Sequence, residues 1–455
     1  MKDDVNELRR LAEFVSTLRY EDLSPKTREL AKLAILNIIG GIIVADHPTL
    51  NPGRASLLRY AERWGASPRA TIIASKLKTA PELAALVTSG SAMMAHGDDW
   101  SWPAKTHLSS VVFPAALALT ESEGRGGKDL ITAYIAGWEV AARVGEAIRW
   151  SGRKIPFTSP VHSLATAGVT ANLRRLTLDA TLSALSIGCD MGTGLLAQGP
   201  YQHVVLRTPL GGFLGLYAGG IAEQGIEARP DILATFCQIY GEYDGSRIVD
   251  GLGEQTLFEK TGFLPKLFHF STGIYPTIVG IQRHVAVTPI VAGEVASIAC
   301  EASPALRTVY GAPPTGPRET THFSLRLAIG LALTGSQFRY ADVAQVPNEN
   351  PEVTQLAEVV TLVPSKTHED MVNLGVESEV TRTIVTMRDG STREIDSIPY
   401  APVTDPDADR QRVEEVFMER VSSRWNDARA TTLRDEIYRL DDIDDIGHLI
   451  RHLAA

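Results

Sequence analysis

The feature that most constrains this fold is the stretch SPKTRELAKLAILNIIGGIIVA, Ser24 to Ala45. It opens as helices open: Ser24 is a capping residue type and Pro25 suits the first helical position. Apolar residues then recur at Leu30, Leu33, Ala34, Ile38 and Gly41, which is helical spacing. The apolar run Leu33–Ala45 is shorter than the roughly 20 residues that cross a bilayer, so it reads as a helix buried in a protein core. Helices of the same kind follow to about residue 235: KDLITAYIAGWEVAARVGEAIRW (Lys128–Trp150), HSLATAGVTANLRRL and LDATLSALSIGCDMGTGLL. Their Ala and Gly content allows close packing. Gly211, Gly212, Gly215, Gly219 and Gly220 in GGFLGLYAGG fit that reading, because neither a preceding strand nor GxGxxG order marks a dinucleotide loop.

Near residue 285 the texture changes. VAGEVASIACEA and AEVVTLVPS read as strands, and EVTRTIVTMRDGSTREIDSIP reads as a hairpin turning at Asp389-Gly390. The helix THFSLRLAIGLALTG lies between these strands, and helices return from about residue 406. The fold class is therefore mainly α. A large all-helical domain (1–270) is followed by a smaller α+β lid domain (271–403) and by C-terminal helices (404–455) that return to the helical domain. A chain of 455 residues is long enough for a large core and two domains.

Composition narrows the function. The net charge is −10, from 44 basic and 54 acidic residues, and no basic stripe is available to neutralise phosphates, which argues against a nucleic-acid partner. No segment reads as membrane-spanning. Cys189, Cys237 and Cys300 are few, distant and odd in number, so neither a disulfide framework nor a CxxC metal site follows, and a reducing compartment is expected. The N-terminal MKDDVNELRRLAEF is charged and amphipathic, unlike a signal peptide. The expected location is cytoplasmic.

Against this background AHGDDWSWPAKTHLSS stands out: two aspartates, two histidines, two tryptophans and a lysine in the sixteen positions Ala95–Ser110, between two apolar helices. Adjacent carboxylates at Asp98 and Asp99 repel, which lifts the pKa of one toward that of a usable acid or base. His107 is the natural partner near neutral pH. The competing reading of Asp98-Asp99 is a solvated cap, and that of His96 a hydrogen-bonded core histidine. A metal set of His96, Asp98, Asp99 and His107 has suitable ligand types, but its spacing matches no established zinc or di-iron signature, so no metal is expected there.

LSPKTRELAKLAILNIIGGIIVA, GSAMMAHGDDW, KTHLSSVVFPAALALTE and AYIAGWEVAARVGEAI together resemble the MmgE/PrpD family, which includes 2-methylcitrate dehydratases, cis-aconitate decarboxylases and iminodisuccinate epimerases. GIAEQGIEARPDIL, LPKLFHFSTGIYPTI and THFSLRLAIG fall in family order, so the resemblance covers most of the chain. It implies a large helical domain and a smaller lid with the site in the cleft between them, a homodimer, a small carboxylate substrate and no cofactor. One or both of Asp98 and Asp99, together with Thr106, His107 and Lys266, are the retained positions.

The departures are specific. Thr158 stands where the family places a histidine, with His162 one helical turn later. Tyr201 stands near a family lysine, with His203 and Arg207 as neighbouring cationic candidates. The lid helix reads FSLRL, so Arg326 and Leu327 replace a Pro-Tyr pair. The candidate catalytic residues are thus Asp98, Asp99, His107, His162 and Lys266. The candidate substrate-binding residues are Thr106, Thr158, Tyr201, His203, Arg207, His269 and Arg326. The family's shared step moves a proton at carbon next to a carboxylate, which needs a base and cationic or N–H donors. The leading expectation is a cofactor-independent lyase of decarboxylase or dehydratase type. An isomerase or epimerase of the same fold is the first alternative. A catalytically altered member, binding or tailoring in a specialised biosynthetic pathway, is the second.

Overall fold

The computed structural model describes every residue except 1–3, 48–50, 65–66, 151–159, 193–205, 315–320, 340–342, 344–349, 366–379 and 455. It is mainly α, with a smaller α+β part, and divides into two compact units. The first comprises residues 1–198, 202–267 and 402–455, the second 199–201 and 268–401. No helix among the described residues is long and apolar enough to cross a membrane.

The first unit is built around α2 (Pro25–Val44), after the N-terminal α1 (Asp4–Thr17). Ser24 caps α2 as expected, its hydroxyl accepting the Thr27 N–H at 3.0 Å, and Pro25 opens the helix. From Leu30 to Val44 every residue of α2 is buried, because an apolar surface on all sides is stable only when covered on all sides. Its one buried cation, Lys32, is neutralised by Glu29 at 3.0 Å and Asp441 at 2.8 Å.

Against α2 pack α4 (Pro81–Ala95), α5 (Ser109–Ser122) and α6 (Gly127–Glu146), with α3 (Pro52–Arg63) on α4, and α7 (His162–Leu173), α8 (Leu178–Asp190) and α9 (Arg207–Glu223) forming a further layer in which α7 packs on α5 and α6. The glycines of GGFLGLYAGG lie in α9. A Cβ on Gly212 would meet the Val111 side chain of α5 at 2.5 Å, and one on Gly219 would meet Thr170 of α7 at 2.5 Å. Helix-to-helix contact is thus what those small residues serve. The C-terminal helix Pro406–Arg424 packs along α2 and adds Val413, Phe417 and Val421 to this unit's core.

The second unit holds a four-stranded sheet of Val295–Ala302, Val360–Pro364, Arg382–Met387 and Thr392–Asp396. The first two strands run parallel and the hairpin pairs antiparallel, Thr392 opposite Thr386, with Gly390 at φ 85° in the turn. Tyr275–Val287 and Leu325–Leu333 cover a separate core that includes Phe270, Ile278, Ile298, Ile329 and Val385.

Two boundaries differ from the sequence reading. The stretch Lys128–Trp150 is not one helix: α6 stops at Glu146, and Ile148–Trp150 is a strand paired with Gly241–Tyr243. Here a long-range partner outweighs local helical periodicity. In AEVVTLVPS, Ala357 and Glu358 end a helix capped by Asn350, whose side chain accepts the Val353 N–H at 3.2 Å, and the strand begins at Val360.

Candidate active site

The chain leaves α4 through His96, whose φ of 52° turns it sharply out of helical geometry. It re-enters a helix at Ser109. Between these points Asp99–Trp100 forms a short strand against Leu264–Pro265, with Asp99 opposite Pro265. That ladder carries Lys266 to the loop: its backbone N–H donates to the Asp98 carbonyl at 3.0 Å. Asn37 of α2 donates to the same carbonyl at 3.1 Å. Arg420, from the helix Pro406–Arg424 and 1% exposed, donates to the Gly97 carbonyl at 3.1 Å and to that of Lys266. Three chain segments far apart in sequence therefore fix one backbone geometry.

The side chains converge on Asp98, which is fully buried. Its Oδ1 lies 2.6 Å from the Lys266 ammonium and its Oδ2 2.8 Å from His107 Nδ1. His107 Nδ1 also lies 2.7 Å from the Asp99 carbonyl, so this nitrogen carries the ring proton and Nε2 presents the lone pair. Burial by itself would raise the Asp98 pKa. The Lys266 ammonium and His107 overcome it and hold the carboxyl well below its ordinary range. Asp98 is therefore a permanent anion that orients the imidazole. Only 12% of the His107 side chain is exposed, and the Trp100 ring stands edge-on to it at 5.1 Å between centroids. Trp102 packs edge-on to Trp100, with the Lys105 ammonium 4.9 Å from its own ring centre.

Asp99 points the other way, to the start of α5. Its Oδ1 accepts the Ser109 N–H at 3.1 Å and its Oδ2 accepts the Ser109 hydroxyl, whose oxygen is 2.6 Å from the Tyr134 hydroxyl. Burial pushes Asp99 up to about 6, with the neighbouring Asp98 charge adding to the rise and the Ser109 hydrogen bonds opposing it. The two carboxylates are thus driven apart in pKa, as adjacency alone led one to expect, but neither is a solvated cap.

Thr106 and His162 form a second pair, Oγ1 to Nε2 at 3.1 Å, both buried. Burial, reinforced by the His107 charge, pushes His162 down to about 3, so it is a neutral imidazole. Its Nδ1 has no hydrogen-bond partner among the described residues.

The remaining candidates lie on other elements. Arg207 opens α9, half-buried. His269 and Arg326 belong to the second unit. His269 is buried and its carbonyl accepts the His322 Nδ1–H at 2.6 Å, while Arg326 sits in the first turn of its helix beside the fully buried Leu327. Thr158, Tyr201 and His203 lie outside the described residues. Sequence reasoning missed Asn37, Ser109, Tyr134 and Arg420. Ser109 carried a faint signal as a polar residue at a helix start; the other three are ordinary members of apolar or amphipathic helices.

A buried carboxylate, imidazole and ammonium brought together at an interhelical loop are the groups that general acid–base chemistry uses. The chain belongs to the MmgE/PrpD family: residues 9–243, more than half of it, match the MmgE/PrpD N-terminal domain. The match contains Asp98, Asp99, Thr106, His107 and His162, while Lys266 lies beyond it. The chain is 28% identical over 238 residues to a cis-aconitate decarboxylase of Aspergillus terreus, an alignment covering 49% of this chain and 47% of that protein. It is 27% identical over 212 residues to the cis-aconitate decarboxylase-like protein oryM of Aspergillus oryzae, covering 43% and 42%. The alignments thus span less than half the length of these curated relatives.

Proposed function

We propose that this protein is a lyase of decarboxylase or dehydratase type that acts on a carboxylate-bearing metabolite through proton transfer at carbon next to a carboxylate. The observation that carries the reading is the Asp98–His107 pair with its Lys266 counter-charge, 2.8 and 2.6 Å from the two carboxylate oxygens. With Nδ1–H held by Asp98, His107 Nε2 is the atom that takes or returns the proton. In a dehydration, Nε2 removes the proton, the freed electron pair forms the double bond, and hydroxide leaves, taking up a proton as water. In a decarboxylation, carbon dioxide leaves, its bonding pair stays on carbon, and the imidazolium protonates that carbon. Either route passes through a carboxylate-stabilised anion, which neutral donors such as Thr106 and His162 would bind without adding a competing base. Family membership and relatives named as cis-aconitate decarboxylases support the reading. Arg207, of the same unit as His107, is proposed to bind a substrate carboxylate in bidentate fashion.

The test incubates the protein in deuterated water with a panel of di- and tricarboxylates, read by mass spectrometry and NMR. The expected result is loss of carbon dioxide or water from one class of acid, abolished in His107→Ala with the fold intact by circular dichroism. A product of unchanged mass carrying deuterium would establish an isomerase instead. If no acid loses a group or exchanges its α-proton, or if His107→Ala turns over normally, the acid–base assignment falls.

A further inference from the structure

Outside the Asp98 cluster, one group of side chains has the composition of a metal site. Glu436 lies near the end of the helix Asp427–Tyr438, and His448 and His452 lie four residues apart on the C-terminal helix Gly447–Leu453. That spacing puts both imidazoles on one helix face. Glu436 Oε1 is 3.1 Å from His448 Nδ1 and 3.2 Å from His452 Nε2, and one donor atom from each residue lies within 4.8 Å of the others. Ligands about 2.1 Å from a tetrahedral zinc ion stand about 3.4 Å apart, close to the separations of Glu436 Oε1 from each histidine nitrogen.

A second observation is independent of that spacing. The Glu436 side chain is only 7% exposed, yet its Oε2 has no hydrogen-bond partner among the described residues. A buried carboxylate oxygen left without a partner costs free energy that a bound cation would recover. The group borders a cavity of about 460 Å³ whose rim carries Asp442, Asp444 and Asp445 against Arg439 and Arg451, an acidic excess that favours a cation. The histidines are part-exposed, 54% and 34% of their side chains, so an ion has access and open coordination positions remain for water.

We propose that Glu436, His448 and His452 bind a divalent transition-metal ion of the zinc type, a two-histidine, one-carboxylate site that ties the helices Asp427–Tyr438 and Gly447–Leu453 together. The competing arrangement is two neutral imidazoles donating to one carboxylate with no ion. The test uses the full-length, tag-free, chelator-stripped protein and titrates ZnCl2 by calorimetry near pH 7.5, with CoCl2 absorption as a geometric readout.

The expected result is one saturable site in the wild type, a rise in melting temperature on adding zinc, and four- or five-coordinate cobalt bands. His448→Ala removes an exposed side chain and should raise the Kd at least tenfold and cancel the zinc-dependent melting shift. Glu436→Gln should do the same, and His107→Ala should leave zinc binding unchanged. Absence of saturable binding, equal affinity in His448→Ala, or loss of binding only in His107→Ala would overturn the proposal.

Discussion

At the scale of the residue, pH separates the groups around His107. His162 is depressed from an ordinary 6.5 to about 3, so the folded state binds fewer protons there than the unfolded chain. Its contribution to stability is fully present above 6.5 and is lost as pH falls toward 3, amounting to about 2 kcal/mol by pH 5. Asp99, raised to about 6, acts in the opposite sense: its contribution is present below the ordinary carboxylate pKa and is lost as pH rises through 6. The two slopes oppose each other between pH 4 and 6. His162→Gln should therefore lose about 2 kcal/mol less than the wild type between pH 7 and pH 5 in urea unfolding; equal losses would mean that His162 carries a proton in the fold. Of this chemistry the sequence showed the residue types. An Asp-Asp pair beside a histidine announced split pKa values. It did not say which aspartate would be the anion, because that depends on Lys266 and Ser109, and Lys266 reaches the site only through tertiary structure.

At the scale of the element, the decisive contact is between α2 and the loop after α4. Gly41 and Gly97 meet backbone to backbone: a Cβ on Gly97 would sit 2.6 Å from the Gly41 Cα, and one on Gly41 would collide with the Gly97 carbonyl. Gly97 is the residue before Asp98 and its carbonyl is held by Arg420, so displacement there moves the Asp98 carboxylate. Gly41→Ala should lower kcat by about tenfold to a hundredfold, the scale of a misplacement of about 1 Å. Gly220→Ala has only the Arg174 side chain within reach, at 3.9 Å, and should leave turnover unchanged. Comparable kinetics in the two variants would detach the α2 contact from the site. Helices were the most legible elements, because the Ser24 cap, the Pro25 start and the apolar spacing all specify the same structure. The Asp99–Trp100 and Leu264–Pro265 strands were illegible: each is two residues long, and neither has a period to read.

At the scale of the whole molecule, the first unit is completed by chain that returns from residue 402. The sequence showed that return as renewed helical texture after 406. It could not show that the return carries Arg420 to the Gly97 carbonyl, or that Phe417, Leu433, Ile437, Leu440, Leu449 and Leu453 are part of the same core as α2. Removing six such side chains withdraws on the order of 10–15 kcal/mol of burial, as much as the whole stability of a typical domain, about 5–15 kcal/mol. In a chain ended at residue 401 the first unit should therefore lose fixed packing: amide protons of α2 and α6 should exchange without protection, whatever the second unit's separate core retains. Protected α2 amides in that chain would show that the first unit stands without its last segment.

The pairing of Asp99–Trp100 with Leu264–Pro265 has a consequence for the order of events at the ribosome. Asp98 and His107 emerge well before their counter-ion, and the arginine that clamps both strands' flanking carbonyls follows more than a hundred residues later. Translation must thus pass Lys266 before the carboxylate acquires its ammonium and Arg420 before the loop is clamped, so a product stalled between the two carries the cluster on an unclamped loop.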